Sequence, residues 1–165
     1  MAITFLPIME EEGIKEVAKM ADEVWHEHYA GIITEEQIDY IVKEYQSVEA
    51  ITEAIHKTGY DYFILKNEGS DVGYFALKIE ADDLFISEFY VLKEYRKQGY
   101  AKQAFQFLKG LGEAMGVKKI TLFTHKKNED ALTVYEKFGM KKVGSLVNDL
   151  GSGYVMDNYK MQAEL

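Results

Sequence analysis

The segment from Leu84 to Lys102 constrains the fold more than any other part of this 165-residue chain. It begins with β-branched and aromatic residues up to Val91, a composition that predicts a strand. After Gly99 the apolar residues recur three or four positions apart, which predicts a helix. The loop between them opens a helix, where backbone N–H groups lack intrahelical partners and the helix dipole is positive. The segment therefore predicts a junction that can bind a pyrophosphate through its main chain.

A second pattern lies downstream of this junction. The run Ile120–Thr124 predicts a strand, and Asn128–Phe138 predicts a helix that carries Tyr135 two turns after Asn128 on the same face. Each pattern alone has a plain structural explanation: Gly99 supplies a positive φ, Asn128 is an N-cap and Tyr135 is a core aromatic. Two ordered motifs at this separation are much more specific than either one.

Together the two motifs resemble the GNAT acetyltransferase family. The family patterns R/Q-x-x-G-x-G/A and N-x-x-A-x-x-x-Y-x-x-x-G-F are met by Arg96, Gly99, Ala101, Asn128, Ala131, Tyr135 and Gly139. Met140 replaces the final Phe of the second pattern. The resemblance covers roughly the C-terminal half, and the terminal Val155–Met161 run is similar to the bacterial branch that contains polyamine acetyltransferases.

The hydrophobic periodicity predicts a fold of the class that the resemblance implies. A strand at Ile3–Ile8, a helix at Met9–Tyr29 and two shorter helices precede strands at Tyr60–Lys66 and Val72–Glu80. A helical crossover makes the strand at Ile120 parallel to the one that ends at Val91. We expect one α/β domain over residues 1–165, with a mostly antiparallel central sheet, one parallel pair and flanking helices. The resemblance implies that the parallel pair is splayed.

Composition excludes several classes of function. The chain has no cysteine, so it can form no disulfide, thiolate metal site or cysteine nucleophile, and it suits a reducing compartment. Its start has no basic leader and no apolar run is long enough to span a bilayer, so a cytoplasmic protein without membrane contact is expected. The net charge of −9 disfavours nucleic acid and attracts cations, although solubility alone also explains it. His26 and His28 face different sides of their helix, so no metal site is expected.

The resemblance implies acetyl-CoA as the cosubstrate. Its pantetheine arm would follow the strand at Phe89–Val91, and its pyrophosphate would rest on backbone N–H groups of the glycine loop. The implied cofactor residues are Phe89, Tyr90, Val91, Arg96, Gln98, Gly99, Tyr100, Ala101, Lys102, Asn128 and Tyr135. Arg96 is equally explained as a solvated turn residue.

Acyl transfer to an amine needs a base for the ammonium proton and an acid for the leaving thiolate. Similarity to the family makes Tyr135 the candidate acid. Glu88 is the candidate base, because it is the only ionisable carboxylate between Leu84 and Leu92. Alternation places Ser87 and Glu88 on opposite faces, so a water chain on the Ser87 side, or no dedicated base, remains an alternative. A solvated or ion-paired carboxylate is another reading of Glu88.

The family binds its acceptor with the first helices and last strands. There the sequence offers Trp25, Tyr29, Asp149 and Asp157, and Glu27 as a third carboxylate for an ammonium group. The aspartates are also explained as polar residues around the Gly151–Gly153 turn.

The resulting hypothesis is an N-acetyltransferase that moves acetyl from acetyl-CoA to a small amine, such as a polyamine, in a ternary complex. A non-catalytic acyl-CoA-binding or sensing module is the alternative. A dinucleotide-binding domain is disfavoured because no G-x-G-x-x-G follows the first strand. The expected partners are the amine and, as an open alternative, a second copy of the chain in a homodimer.

Overall fold

The computed structural model describes residues 3–165. Met1 and Ala2, which belong to the start that is expected to have no basic leader, lie outside the described residues. Within that range, strands and helices alternate much as the periodicity predicts. In chain order they are β1 (Thr4–Ile8), α1 (Glu11–His28), α2 (Glu35–Tyr45), α3 (Val48–His56), β2 (Asp61–Asn67), β3 (Ser70–Glu80), β4 (Asp83–Val91), α4 (Tyr100–Ala114), β5 (Lys119–His125), α5 (Glu129–Lys137), β6 (Lys141–Gly151) and β7 (Tyr154–Glu164).

The strands are hydrogen-bonded in the order β1-β2-β3-β4-β5-β7-β6. The pairs β1–β2, β2–β3, β5–β7 and β6–β7 are antiparallel, and β4–β5 is parallel. The parallel ladder runs from Asp83↔Lys119 to Ile86↔Leu122, and β4 continues past it to Val91. The predicted α/β class, with a mostly antiparallel sheet and one parallel pair, is confirmed.

The backbone contacts group the chain into two compact units. The first comprises Met1–Lys78 and Glu88–Ala104, and the second comprises Ile79–Ser87 and Phe105–Leu165. A single domain over residues 1–165 therefore stays a prediction.

Helix α1 packs in the first unit through an apolar stripe. Ile14, Val17, Ala21 and Val24 recur at helical spacing and are all buried. The next two helices start at capped residues, since Thr34 accepts a hydrogen bond from the Gln37 N–H and Ser47 from the Ala50 N–H. Thr34 and Ser47 are thus the N-caps of α2 and α3.

In the second unit, α4 and the strands share a core of Leu84, Leu108, Ile120, Leu122 and Met161, all buried. The apolar spacing after Gly99 continues to Met115, one residue beyond the helix. Helix α4 ends at Ala114, and Met115 is 62% exposed. Among residues 3–165, no helix combines the length and hydrophobicity needed to span a bilayer.

Two hairpins close more tightly than the sequence predicts. Residues Glu68 and Gly69 connect β2 to β3 with φ values of 50° and 84°. Ser152 and Gly153 connect β6 to β7 with φ values of 51° and 81°. Two successive positive φ angles are the geometry of the turns that match strand twist, so the flanking strands extend into the predicted loops.

Candidate functional site

Strand β4 directs alternate side chains to opposite faces. Phe89 stacks on Phe75 with 6.3 Å between ring centroids. Glu88 instead accepts a hydrogen bond from the Gln46 side-chain amide at 2.8 Å. Tyr90 lies 5.8 Å from the Trp25 ring and 5.7 Å from the Tyr74 ring. Ordinary strand alternation therefore places Glu88 and Tyr90 among polar and aromatic groups of the first unit.

These side chains form a group that we call the Glu88 cluster. Its members are Trp25, Tyr29, Gln46, Tyr74, Glu88 and Tyr90. The hydroxyls of Tyr29 and Tyr90 lie 3.1 Å apart, and the rings of Trp25 and Tyr29 stack at 4.2 Å. Burial raises the pKa of each of the three cluster tyrosines, so their phenols stay neutral near pH 7.

The Glu88 carboxyl has the properties of a proton acceptor. Its Oε2 atom is buried and has no hydrogen-bond partner within residues 3–165. Burial raises the pKa of Glu88 to about 8, against the opposing effects of the Gln46 amide and the Tyr90 hydroxyl. A carboxyl with a pKa near neutrality can both take up and release a proton at physiological pH.

The glycine loop turns β4 into α4 with two left-handed residues. Lys97 has a φ of 64° and Gly99 a φ of 82°. The first N–H groups of α4, from Tyr100 onward, have no intrahelical acceptors by position. The Tyr100 hydroxyl accepts a hydrogen bond from the Asn67 amide at 2.9 Å, which anchors the side chain at the start of this helix. Such a loop can hold an anion by main chain.

Arg96 and Glu27 form a bidentate ion pair. The two guanidinium nitrogens lie 2.6 and 3.3 Å from the Glu27 oxygens, and the Arg96 Nε donates to the Val91 carbonyl at 2.9 Å. The sequence suggests separate roles for these two charges, Arg96 for the cofactor and Glu27 for the ammonium group of the acceptor. In the structure they pair with each other. The pair also ties α1 to the end of β4. The partners are far apart in sequence, so no local pattern indicates their contact.

In the second unit, Asn128 lies at the start of α5 and Tyr135 lies within this helix. Both residues are buried. Asn128 occupies the N-cap position without a side-chain capping hydrogen bond. His125, which neither sequence motif includes, ends β5 and is 8% exposed. Its Nδ1 accepts the Lys127 N–H at 3.1 Å, and burial lowers its pKa. Its place at the end of the strand before the Asn128 motif is the signal that could have found it.

The two aspartates of the last strands have local partners. Asp149 Oδ1 accepts the Gly151 N–H at 2.9 Å and closes the hairpin backbone. Asp157 lies 3.2 Å from the Lys126 ammonium. Trp25 and Tyr29 belong to the Glu88 cluster of the first unit. Binding of an acceptor by these four residues stays a prediction.

His26 meets two carboxylates that could in principle share a metal ion with it. Its Nε2 and oxygens of Glu35 and Asp39 lie within 4.8 Å of one another. The ring nitrogens contact the Asp22 carbonyl at 2.8 Å and Asp39 at 2.7 Å, and both contacts raise the pKa of His26. These contacts join α1 to α2 through His26, Glu35 and Asp39.

Comparison with known proteins identifies relatives of this chain. The model of the acetyltransferase (GNAT) family matches residues 17–140. A spermidine N(1)-acetyltransferase of Thermoplasma acidophilum is 26% identical over 151 residues, which cover 88% of this chain and 91% of the relative.

Solved structures show the same fold. The PaiA N-acetyltransferase of Thermoplasma acidophilum, solved in complex with coenzyme A, has a TM-score of 0.80 at 21% identity, with all of both chains covered. A GCN5-related N-acetyltransferase from Rhodopseudomonas palustris has a TM-score of 0.81 at 18% identity, covering 100% of this chain and 99% of the other.

Proposed function

Because this chain belongs to the acetyltransferase (GNAT) family, we propose that it transfers the acetyl group of acetyl-CoA to a small primary amine. The transfer is direct, in a ternary complex, since the chain has no cysteine to carry an acyl intermediate. The absence of cysteine also supports the cytoplasm as its location.

The observation that carries this proposal is the half-buried Glu88, whose Oε2 atom is buried and has no hydrogen-bond partner among residues 3–165. A primary amine is protonated near pH 7 and must lose its proton before it attacks a thioester. Glu88 accepts that proton, directly or through a water molecule, and its raised pKa matches the task. The neutral phenols around it leave no competing charge in the cluster.

The cofactor is assigned to the glycine loop and the end of β4. The N–H groups of Gln98, Gly99, Tyr100, Ala101 and Lys102 hold the pyrophosphate, supported by the positive φ at Gly99. Phe89–Val91 offer backbone groups to the pantetheine amides. Arg96 stays paired with Glu27. It holds the loop in place and also supplies a positive charge near the pyrophosphate.

Protonation of the leaving thiolate is assigned to the buried Tyr135, which donates its phenolic proton as the carbon–sulfur bond breaks. Asn128, at the start of the same helix, lines the cofactor. The assignments of both residues rest on the family motif.

A polyamine is the proposed acceptor. The support is the similarity to a spermidine N(1)-acetyltransferase and the net charge of −9. Trp25 and Tyr29 provide aromatic faces for a cationic amine, and Asp149 and Asp157 provide negative charge.

Thiol release measured with acetyl-CoA and a panel of amines tests the proposal. Spermidine, a diamine, an amino acid and an aminoglycoside should differ, with thiol released fastest for spermidine. Glu88→Gln should lose at least about a hundredfold in kcat/KM while acetyl-CoA still raises the melting temperature. A melting shift with acetyl-CoA but no thiol release with any amine favours the non-catalytic sensing module. A shift with NADH alone contradicts the cofactor assignment.

A further inference from the structure

Gln46 is a buried polar residue at the end of α2. It is the C-cap residue, its backbone N–H donates to the Val42 carbonyl, and it is 2% exposed. A glutamine at a helix end usually reaches solvent, because burial of its amide is costly unless both ends are hydrogen-bonded. Here both ends of the amide are hydrogen-bonded, which makes its burial possible. The role of Gln46 therefore depends on which groups it bonds to.

The side-chain amide of Gln46 lies between two members of the Glu88 cluster. Its Nε2 donates to Glu88 Oε1 at 2.8 Å, and its Oε1 accepts the Tyr74 hydroxyl at 3.3 Å. An ionised carboxylate can only accept, so the amide nitrogen must face Glu88 and the amide oxygen must face Tyr74. Tyr74 is fully buried, and its hydroxyl donates to the amide oxygen, which supports this orientation of the amide.

We propose that Gln46 is the positioning residue of Glu88, holding Oε1 so that Oε2 alone exchanges the proton of the amine substrate. This inference rests on the proposed role of Glu88 as the base. It adds a residue outside both sequence motifs, in a helix that neither motif includes. Tyr74 acts one step further away, by keeping the Gln46 amide in the donating orientation.

The hydrogen bond also favours the ionised carboxylate over the acid. The groups that face Glu88 are Gln46 from α2, Tyr29 from α1, Tyr62 from β2, Tyr74 from β3 and Tyr90 on its own strand. Burial keeps all four phenols neutral by raising their pKa values. A neutral phenol can still donate, and the donors that stabilise the Glu88 charge are the Gln46 amide first and the Tyr90 hydroxyl second. Loss of the Gln46 amide therefore shifts the carboxyl toward the acid, although the Tyr90 hydroxyl remains.

Gln46→Met tests the inference, because methionine matches the length of glutamine and removes both hydrogen bonds. We expect kcat/KM to fall about tenfold at pH 7, which corresponds to a one-unit rise in the pKa of Glu88. The ratio of variant to wild type should recover toward 1 as pH rises to 10. Using this ratio cancels the titration of the amine substrate itself. Tyr74→Phe should give a smaller loss of the same form.

Gln162→Met is the matched control, since the Gln162 amide donates to Thr121 rather than to Glu88. Its kcat/KM should stay at the wild-type value across the pH range. A Gln46→Met loss that is equal at every pH would assign Gln46 to structure alone and overturn the inference. So would an unchanged activity.

A second readout does not depend on activity. Titration of the ¹³C-labelled Glu88 carboxyl by NMR should have a higher midpoint in Gln46→Met and in Tyr74→Phe than in wild type. An unmoved midpoint contradicts the inference, and Tyr74→Phe supplies the result if Gln46→Met does not fold. A fully active Glu88→Gln would instead refute the proposed base, while the NMR midpoints would still report on Gln46.

Discussion

Gly73 in β3 lies against the backbone of β4 at Tyr90 and Val91. A Cβ added there would lie 2.3 Å from the Tyr90 carbonyl oxygen and 3.1 Å from the Val91 Cα. Backbone atoms cannot turn away, so the strands must separate next to the Glu88 cluster. We expect Gly73→Ala to lower the free energy of unfolding by about 1–3 kcal/mol, measured by urea titration.

Gly110→Ala is the control for that experiment. An added Cβ at Gly110 in α4 meets no atom within 4 Å, and alanine favours a helix. This variant should gain about 0.5–1 kcal/mol. Equal stability of Gly73→Ala and wild type would show that the two strands are not held at this distance.

Tyr135 is buried whether it packs or donates a proton, so only kinetics separate the two roles. Tyr135→Phe keeps the ring and removes the hydroxyl. We expect turnover to fall by about 10²-fold or more, while the acetyl-CoA melting shift is retained. Tyr159→Phe is the control. The Lys126 and Lys142 ammonium groups lie over the Tyr159 ring, and this variant should keep turnover. Wild-type turnover in Tyr135→Phe would assign this residue to packing.

At the scale of residues, the sequence predicts chemistry better than it predicts partners. Glu88 is identifiable because it is the only carboxylate between Leu84 and Leu92. Gln46, which bonds to it, belongs to another helix and matches no motif, so it could not be predicted. The sequence does not indicate the Arg96–Glu27 pair for the same reason: contacts between distant segments depend on tertiary packing, which local spacing does not encode.

Helices α1 and α2 are linked by His26 and Asp39. The pKa of His26 is raised, chiefly by the hydrogen bond with Asp39, so the imidazolium binds its proton more tightly in the folded state. The stabilisation is fully present below the unfolded pKa of about 6.5 and is lost as pH rises through the higher folded pKa. Asp39→Asn should therefore lower the melting temperature at pH 5.5 and have little effect at pH 9.

A variant of the neighbouring Lys15–Glu11 pair supplies the comparison. This pair contains no histidine, so the effect of Glu11→Gln should be the same at both pH values. An Asp39→Asn effect that is also equal at pH 5.5 and pH 9 would mean that His26 does not change its charge in this range.

The junction between β4 and α4 is tested by ligand-induced stabilisation. Acetyl-CoA at 100 times its dissociation constant should stabilise wild type by roughly 2.7 kcal/mol. Gly99→Val should abolish that shift, because a branched side chain distorts the left-handed residue and hinders access to the loop N–H groups. Gly116→Val introduces the same backbone strain at a φ of 75° and should keep the shift. Equal shifts in both variants would place the pyrophosphate elsewhere.

At the scale of elements, the periodicity predicts types and order well and the ends less well. The predicted five-residue loop Asn67–Asp71 is a two-residue turn, since Glu68 adopts a positive φ that glutamate rarely takes. Gly151, the first residue of the Gly151–Gly153 turn expected from the sequence, likewise continues β6. The extension comes from backbone pairing with the neighbouring strand, which composition alone does not reveal.

The net charge of the whole chain should contribute to the choice of acceptor. Asp157 and Lys126 form an ion pair, so removing either charge changes the field by one unit in opposite senses. At low salt, Asp157→Asn should raise KM for spermidine and Lys126→Gln should lower it. The two values should converge at 1 M salt, where the screening length is about 3 Å. If the KM values of the two variants differ as much at 1 M salt as at low salt, charge does not determine the affinity for spermidine.

Each compact unit draws on separated stretches of chain, and this affects how the protein emerges from the ribosome. The two tight hairpins can pair as soon as a few residues have been added. The Asp83–Ile86 stretch instead waits for Lys119–Leu122, which is made only after the whole of α4. During that interval the apolar Leu84 and Ile86 have no partner strand on that edge. Synthesis that stalls between α4 and β5 should therefore yield the nascent chain most in need of a chaperone.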